Sequence, residues 1–203
     1  MVRKRCHVKS LSLKPTLLYL ILSSQANASH FWLNEGWTTY IERVLLQVLY
    51  SPAERGFSFV IGSKALNDSL KRYEDRPKYQ RLAISFEKGE DPDDAYSSIP
   101  YEKGANFILH LGEQLNLHFI LGFFEHAYFV LFFSRTERIL GGLDVFLPYV
   151  KDYVETFIGK SITSEQWKEH LYAYYSECGD PEKIKALDSV DWDVSLFNTI
   201  RFT

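Results

Sequence analysis

The segment from Phe31 to Tyr50 constrains the fold of this chain more than any other part of its sequence. Its apolar residues recur at three- and four-residue steps, while Glu42, Arg43 and Gln47 fall on the opposite side. This spacing predicts an amphipathic helix that buries one face against other helices. Asn34 is a suitable N-cap, and Pro52 is expected to end the helix shortly after Tyr50. The apolar face consists of Leu33, Trp37, Tyr40, Ile41, Val44, Leu45 and Val48.

Most of the remaining patterns are also helical, so we predict a mostly α chain whose helices pack on one another. Thr163 and Gln166 match a capping box at the start of one helix. The segment 82–86 is expected to be extended or turn-like, and the polar stretch 89–98 a loop. The other predicted helices cover 56–73, a segment that begins at Pro100, 145–157, and a short segment at 181–187.

The composition is that of a globular protein and excludes some partners. Of the 203 residues, 46% are apolar and 24% charged, and the formal net charge is −3. This balance gives no reason to expect nucleic acid as a partner. The two cysteines, Cys6 and Cys178, lie far apart in the sequence. We therefore predict no disulfide framework and a reducing, cytoplasmic location.

Two apolar segments raise the question of membranes. Basic residues precede the run Leu17–Leu22, and Ala26-Asn27-Ala28 follows it, which resembles a secretory signal with a cleavage site. The apolar run is short for such a signal, so the alternative is a tail without designed structure. In Leu117–Phe133, His118, Glu125 and His126 interrupt the apolar residues. A buried or poorly covered helix is expected there, and no membrane span.

The string W-L-N-E-G, from Trp32 to Gly36, places a carboxylate among aromatic rings at the start of the predicted helix. Burying Glu35 without a partner would be costly, so a cation is one plausible companion. The alternative is that Glu35 interacts favourably with the free amides of its own helix.

The string P-Y-E-K-G, from Pro100 to Gly104, is the second candidate for chemistry. A tyrosine hydroxyl directed into a cleft can donate a hydrogen bond to a developing oxyanion. Most tyrosines instead pack in a core with the hydroxyl satisfied, and that reading of Tyr101 stays open on the motif alone.

Together the two strings resemble the leukotriene A-4 hydrolase/aminopeptidase family of gluzincin zinc metallopeptidases, in its fungal form. The resemblance covers about 27–113 and 141–194, and it implies the C-terminal helical part of a thermolysin-like catalytic domain. We therefore predict an unmatched tail at 1–26 and a partial catalytic domain at 27–194. Within that domain a foreign hydrophobic insert is expected at about 116–140, and a second unmatched tail at 195–203.

The resemblance implies a role for five residues. Glu35 matches a zinc ligand, and Glu42 matches a carboxylate that supports a zinc-binding histidine. Tyr101 matches the tyrosine that assists the tetrahedral intermediate of peptide hydrolysis. Tyr96 matches a tyrosine beside the bound lipid, and Asp93 an aspartate implicated in epoxide opening. The implied activity is zinc-assisted hydrolysis of peptide N-termini or of a lipid epoxide.

The chain departs from this family at the metal site. The family spacing from Glu35 predicts histidines at positions 12 and 16, or at 14 and 18 with two further residues allowed for. The chain has Ser12, Thr16, Lys14 and Leu18 there, and no H-E-x-x-H string occurs in the sequence. Because a catalytic zinc needs about three protein ligands, we expect weak or no zinc binding and no peptidase activity.

The abrupt borders of the unmatched segments predict mis-joined or unspliced coding segments, or a decayed gene. The competing interpretations are a truncated paralogue and a non-catalytic helical interaction module.

Overall fold

The computed structural model describes residues 24–109, 140 and 143–197. Within these ranges the chain forms seven α-helices and one short parallel strand pair, so the prediction of a mostly α chain is confirmed. The strands are β1 (Ser24–Gln25) and β2 (Ser161–Ile162). The helices are α1 (Trp32–Leu49), α2 (Pro52–Arg72), α3 (Ile99–Leu109), α4 (Leu143–Phe157), α5 (Ser164–Cys178), α6 (Pro181–Asp188) and α7 (Trp192–Phe197).

Helix α1 has the predicted extent, but three assignments along it are wrong: the N-cap, Arg43, which is buried, and Val48, which is 54% exposed. The N-cap residue is Phe31, which makes no side-chain cap, and Asn34 lies inside the first turn. The prediction that Asn34 caps this helix is therefore wrong. A 3₁₀ turn, Ala28–His30, precedes the helix, and Asn27 caps that turn by accepting a hydrogen bond from the Ser29 amide.

Helix α2 begins four residues before the predicted segment. Ser51 caps it by accepting a hydrogen bond from the Glu54 amide, and Pro52 occupies its first turn, where a missing N–H costs nothing. Pro52 therefore separates α1 from α2 and also starts the second helix, so the two form a tight antiparallel hairpin.

Helices α1 and α3 cross at two glycines, with their backbones in direct contact. A Cβ added to Gly36 would lie 2.8 Å from the Cα of Gly104, and one added to Gly104 would lie 2.9 Å from the Cα of Gly36. Because real Cβ atoms do not approach so closely, only glycine fits at either position. This crossing brings the two sequence motifs together, since Gly36 ends the first and Gly104 ends the second.

The main core is aromatic and joins α1 and α3 to the helices that follow. All four tryptophans lie in it, and Trp32, Trp37 and Trp167 are completely or almost completely buried. The Trp37 ring stacks on Tyr153 with centroids 4.9 Å apart, and Trp32 meets Trp167 edge-on at 5.2 Å. These contacts make the aromatic side chains of α1 part of one continuous core.

The C-terminal helices confirm one prediction and add elements that were not foreseen. Thr163 and Gln166 form the predicted capping box of α5. The α7 helix and the strand pair were not predicted. The amide of Ala83 donates to the carbonyl of Leu196 in α7, which ties the extended segment after α2 to the C-terminal helices.

Cys178 is the last residue of α5. Cys6, the other cysteine of the chain, lies outside the described residues. The absence of a disulfide framework and the cytoplasmic location stay predictions.

Several predictions fall on residues outside the described ranges. These are the signal-like N-terminal segment before Ser24, the apolar run Leu117–Phe133 and the end of the C-terminal tail. The predicted domain boundaries stay predictions. Among the described helices, none combines the length and the apolar character needed to cross a bilayer.

The glycine crossing yields a stability prediction. Replacing Gly36 by alanine forces α1 and α3 apart, and we expect the free energy of unfolding to fall by about 1–3 kcal/mol, as for other overpacked contacts. Gly56 of α2 is a matched control, because a Cβ there meets nothing within 4 Å. Gly56→Ala should stabilise the protein by about 0.5–1 kcal/mol. Urea unfolding measures both, and equal effects would contradict the steric argument.

Candidate functional site

Glu35 lies in the first turn of α1, half-buried, and its carboxylate faces α3. Burial raises the pKa of this carboxyl above its usual value, although hydrogen bonding to Tyr101 and Asn34 acts in the opposite direction. The free amides of a helix N-terminus also favour a negative charge. Glu35 is thus a partly desolvated carboxylate with one phenol and one amide as its neighbours.

Tyr101 lies in the first turn of α3, and the Gly36–Gly104 crossing places it beside Glu35. Burial is the main cause that raises the pKa of its phenol far above the usual value, with further contributions from the Tyr96 hydroxyl and the charge of Glu35. The Tyr101 hydroxyl therefore keeps its proton at neutral pH and can act as a hydrogen-bond donor. Its ring meets Phe31 edge-on, with centroids 6.3 Å apart.

Tyr96 and Asp93 belong to the loop between α2 and α3. The buried Tyr73 stabilises this loop through two hydrogen bonds. The Tyr73 hydroxyl donates to the carbonyls of Asp94, at 2.9 Å, and Tyr96, at 3.1 Å. Asp93 lies in a 3₁₀ turn, Pro92–Ala95, and its side chain is exposed. The Tyr96 ring is 65% exposed, yet its hydroxyl reaches Tyr101.

A cavity of about 250 Å³ opens beside Tyr96 and is largely apolar. Asp93 and Tyr96 lie at its wall, together with Phe31 from the start of α1. Apart from these three, it is lined by Asn27, Ala28, Arg81, Leu82, Ile84, Phe86, Pro92, Ala95 and Pro100. The cavity can receive an apolar group beside Tyr96.

Glu42 lies two turns after Glu35 on the same face of α1 and is exposed. It lines an open groove of about 550 Å³ between α1, α2 and α3, to which Thr39 and Tyr101 also contribute. Tyr101 therefore borders this groove directly. The structure groups Glu35, Tyr101 and Tyr96, places Asp93 at the cavity and Glu42 in the groove, and leaves their roles as predictions.

His30 fixes the start of α1 to the start of α5 through its Nδ1 atom. Nδ1 lies 2.9 Å from Ser164 Oγ and accepts from the Ser164 amide at 3.2 Å. The indole of Trp32 also donates to Ser164 Oγ, at 3.0 Å. Because a backbone N–H donates to Nδ1, this nitrogen carries no proton and is occupied. His30 is thus a structural anchor of the site.

The residues present do not by themselves fit a catalytic zinc. Among the described residues, no group of three or more His, Cys, Asp or Glu side chains is arranged to hold a metal ion. The groups that approach Glu35 are a protonated phenol and an amide, which do not provide a zinc ligand set. The sequence as a whole also contains no H-E-x-x-H string. Glu35 can supply at most one ligand of such a site.

The parts that hold this site together were not predicted from the sequence. The motifs were recognised by their charged and aromatic residues, and the structural importance of Gly36 and Gly104, which end the two motifs, was not foreseen. Nor was that of Arg43, which is buried and pairs with Glu102. The available signal was the position of Arg43 next to the apolar face of α1, but the sequence pattern assigned Arg43 to the solvent-exposed face.

The comparisons with known proteins agree with this architecture. The Peptidase family M1 domain matches residues 24–130, which is more than half of the chain. The chain belongs to peptidase family M1. The match extends into the segment predicted to be a foreign insert, and the boundaries of that insert stay a prediction.

Curated relatives and solved structures point in the same direction. Leucine aminopeptidase 2 of Saccharomyces cerevisiae is 35% identical over 87% of this chain and 22% of its own length. The leukotriene A-4 hydrolase homolog of Botryotinia fuckeliana is 38% identical over 85% of this chain and 22% of its own length. The structure of yeast LTA4 hydrolase in complex with bestatin covers 94% of this chain and 26% of its own, with a TM-score of 0.73 and 32% identity. The chain spans about a quarter of the length of these relatives, and the predicted family resemblance is confirmed.

The raised pKa of Glu35 predicts that this residue costs stability at neutral pH. A carboxyl whose folded pKa is raised destabilises the fold as the pH rises above its ordinary value of 4.5. We expect Glu35→Gln to raise the urea midpoint near pH 7 and to have no such effect well below pH 4.5. Glu42→Gln, on the exposed part of the same face, serves as the control and should change neither midpoint. A Glu35→Gln protein that is less stable near pH 7 would contradict this prediction.

The His30 anchor predicts a loss of stability in mild acid. Burial lowers the pKa of His30 below its ordinary value of 6.5, which outweighs the opposing effect of Glu165. The unfolded chain therefore binds the proton more tightly, and stability falls as the pH drops from 6.5 through the lowered pKa. His30→Gln keeps an acceptor for the Ser164 amide but does not titrate. The slope of unfolding free energy against pH should be smaller in this variant, and an identical slope would exclude His30 as its source.

Proposed function

We propose that this chain forms one side of the active site of a zinc aminopeptidase of family M1. It contributes Glu35 as a single metal ligand and Tyr101 as the hydrogen-bond donor to the tetrahedral intermediate. The observation that carries the proposal is the pairing of these two side chains at the crossing of α1 and α3. Because the described residues offer no further ligand set and the sequence has no H-E-x-x-H string, the remaining metal ligands and the general base are proposed to come from outside this chain.

The chemistry expected of Tyr101 follows from its protonation state. A phenol that remains protonated at neutral pH can donate to an oxygen that gains negative charge during hydrolysis. Glu35 holds this hydroxyl in place before substrate binds, so little reorganisation is required. A metal bound at Glu35 would supply Lewis-acid activation of the scissile carbonyl.

The cavity beside Tyr96 favours substrates with an apolar group. Its walls are mainly aromatic and aliphatic, and an apolar side chain at a peptide N-terminus or the tail of a lipid epoxide would fit its chemistry. The names of two relatives, leucine aminopeptidase 2 and leukotriene A-4 hydrolase homolog, support these two substrate classes. Within the proposal, Tyr96 contacts the apolar substrate and Asp93 takes part in epoxide opening.

A second candidate function is a helical interaction module without catalysis. Large apolar side chains are exposed at the tip of the α1–α2 hairpin and along α2, among them Leu49 at 68%, Tyr50 at 72% and Phe57 at 61%. Clustered exposure of this kind is typical of surfaces that associate with another protein. This candidate requires neither Glu35 nor Tyr101.

The isolated chain should be inactive. We expect the purified protein to bind less than stoichiometric zinc when it is equilibrated by dialysis with about 1 μM free zinc. This concentration is well above the Kd of an intact structural zinc site. It should not hydrolyse leucyl anilides. Metal analysis by mass spectrometry and a chromogenic assay test this. Stoichiometric zinc together with hydrolysis would overturn the view that the chain holds only one side of the site.

A chimaera tests the positive part of the proposal. Residues 27–109 of this chain replace their counterpart in the yeast relative, which then supplies the rest of the enzyme. We expect zinc-dependent activity that Tyr101→Phe lowers by about 100- to 1,000-fold in kcat, because one oxyanion donor is lost. Tyr73→Phe is the matched control: it removes a phenol that supports the loop from below, and its effect should be much smaller. Equal losses would argue against a specific role of Tyr101.

A further inference from the structure

Arg43 is a charged residue that the main core almost completely covers. Its side chain is 4% exposed, and its guanidinium lies over the Phe59 ring, 4.3 Å from the centroid. Buried arginines of this kind are stable only where carboxylates and carbonyls compensate the lost hydration. The partners of Arg43 come from two other helices.

The guanidinium connects α1 to both α2 and α3. Its Nε donates to Ser58 Oγ at 3.2 Å and its Nη2 to the Ser58 carbonyl at 3.3 Å, both in α2. The same Nη2 forms an ion pair of 2.6 Å with Glu102 Oε2 in α3. The side chain of Glu102 is 14% exposed, so this pair is largely shielded from water. Pairs in such surroundings are stronger and more directional than surface pairs.

Gly62 leaves the space that the ion pair occupies. A Cβ at this position would overlap both the Glu102 carboxylate and the Arg43 guanidinium. The α2 backbone at Gly62 thus packs directly against the Arg43–Glu102 ion pair. Glu102 lies inside α3, in its first turn, and follows Tyr101 directly. A fixed Glu102 carboxylate therefore fixes the rotation of the first turn of α3.

We propose that Arg43 is a positioning residue for Tyr101. Through Glu102 it sets the rotation of the first turn of α3, and this rotation directs the Tyr101 hydroxyl towards Glu35 across the Gly36–Gly104 crossing. The crossing sets how closely the two helices approach, and the ion pair sets which side chains face each other. This inference rests on the proposed function only for the role of Tyr101 as a hydrogen-bond donor in hydrolysis. That Arg43 orients Tyr101 through Glu102 does not depend on the proposed function.

Proton NMR of the intact chain tests the claim through a contact of Tyr101 itself. In the wild type, ring protons of Phe31 and Tyr101 should give nuclear Overhauser effects, since the centroids lie 6.3 Å apart in an edge-on arrangement. Arg43→Met keeps the length of the side chain and removes its charge and donors. We expect the Phe31–Tyr101 effects to be lost in this variant, while those between Trp37 and Tyr153 persist and show that the core is folded.

Two further variants keep the test decisive. Glu102→Gln retains the shape of the carboxylate and weakens the pair, so it should reduce the same effects even where Arg43→Met does not fold. Lys78→Met removes another ion pair, to Glu90, within the segment that connects α2 to α3, and should leave these effects unchanged. If Arg43→Met folds and its Phe31–Tyr101 effects are unchanged, the proposal is overturned. If Arg43→Met does not fold, unchanged effects in Glu102→Gln overturn it. Zinc content and hydrolysis play no part in this readout, so its failure is distinct from failure of the proposed function.

Discussion

The backbone contact between Gly36 and Gly104 is the constraint on which the rest of the structure depends. Two helices that touch without intervening side chains bring the residues flanking the contact closer than ordinary helix packing allows. Glu35 and the first turn of α3 flank it on one side. On the other side, the Trp32 and Trp37 rings extend into the main core. The same contact therefore determines both the proximity of the candidate site residues and the way the core is closed.

The helices could be predicted from the sequence because their determinants are local. The apolar period of α1, the capping box of Thr163 and Gln166, and the loop residues around Asp91 each act within a few positions. The wrong N-cap at Asn34 has a tertiary cause, since His30 and Trp32 bind Ser164 and start the helix earlier. The two-residue strands and α7 are defined by partners far away in the chain, and short patterns carry no signal of those partners.

The candidate site was predictable in its members but not in its assembly. The motif strings named Glu35 and Tyr101, and the resemblance to a known family gave each a role. Neither source could show that Tyr96 reaches Tyr101, or that Arg43 is buried, because both facts depend on how three helices meet. The missing histidines, by contrast, were evident from the sequence alone. Among the described residues, the structure adds no group next to Glu35 that could replace them.

The placement of the tryptophans has a practical consequence for spectroscopy. All four indoles lie in the main core, whereas the second cluster, beneath the loop that carries Tyr96, contains Tyr73 and Tyr79 but no tryptophan. Indole emission therefore reports the integrity of one region and is silent about the other. A partial opening of that loop, with the main core intact, would pass unnoticed under excitation selective for tryptophan and would appear only in tyrosine absorbance. Tryptophan emission thus reports on the main core alone, whereas tyrosine signals come from both clusters and are the ones that can register a change in the second.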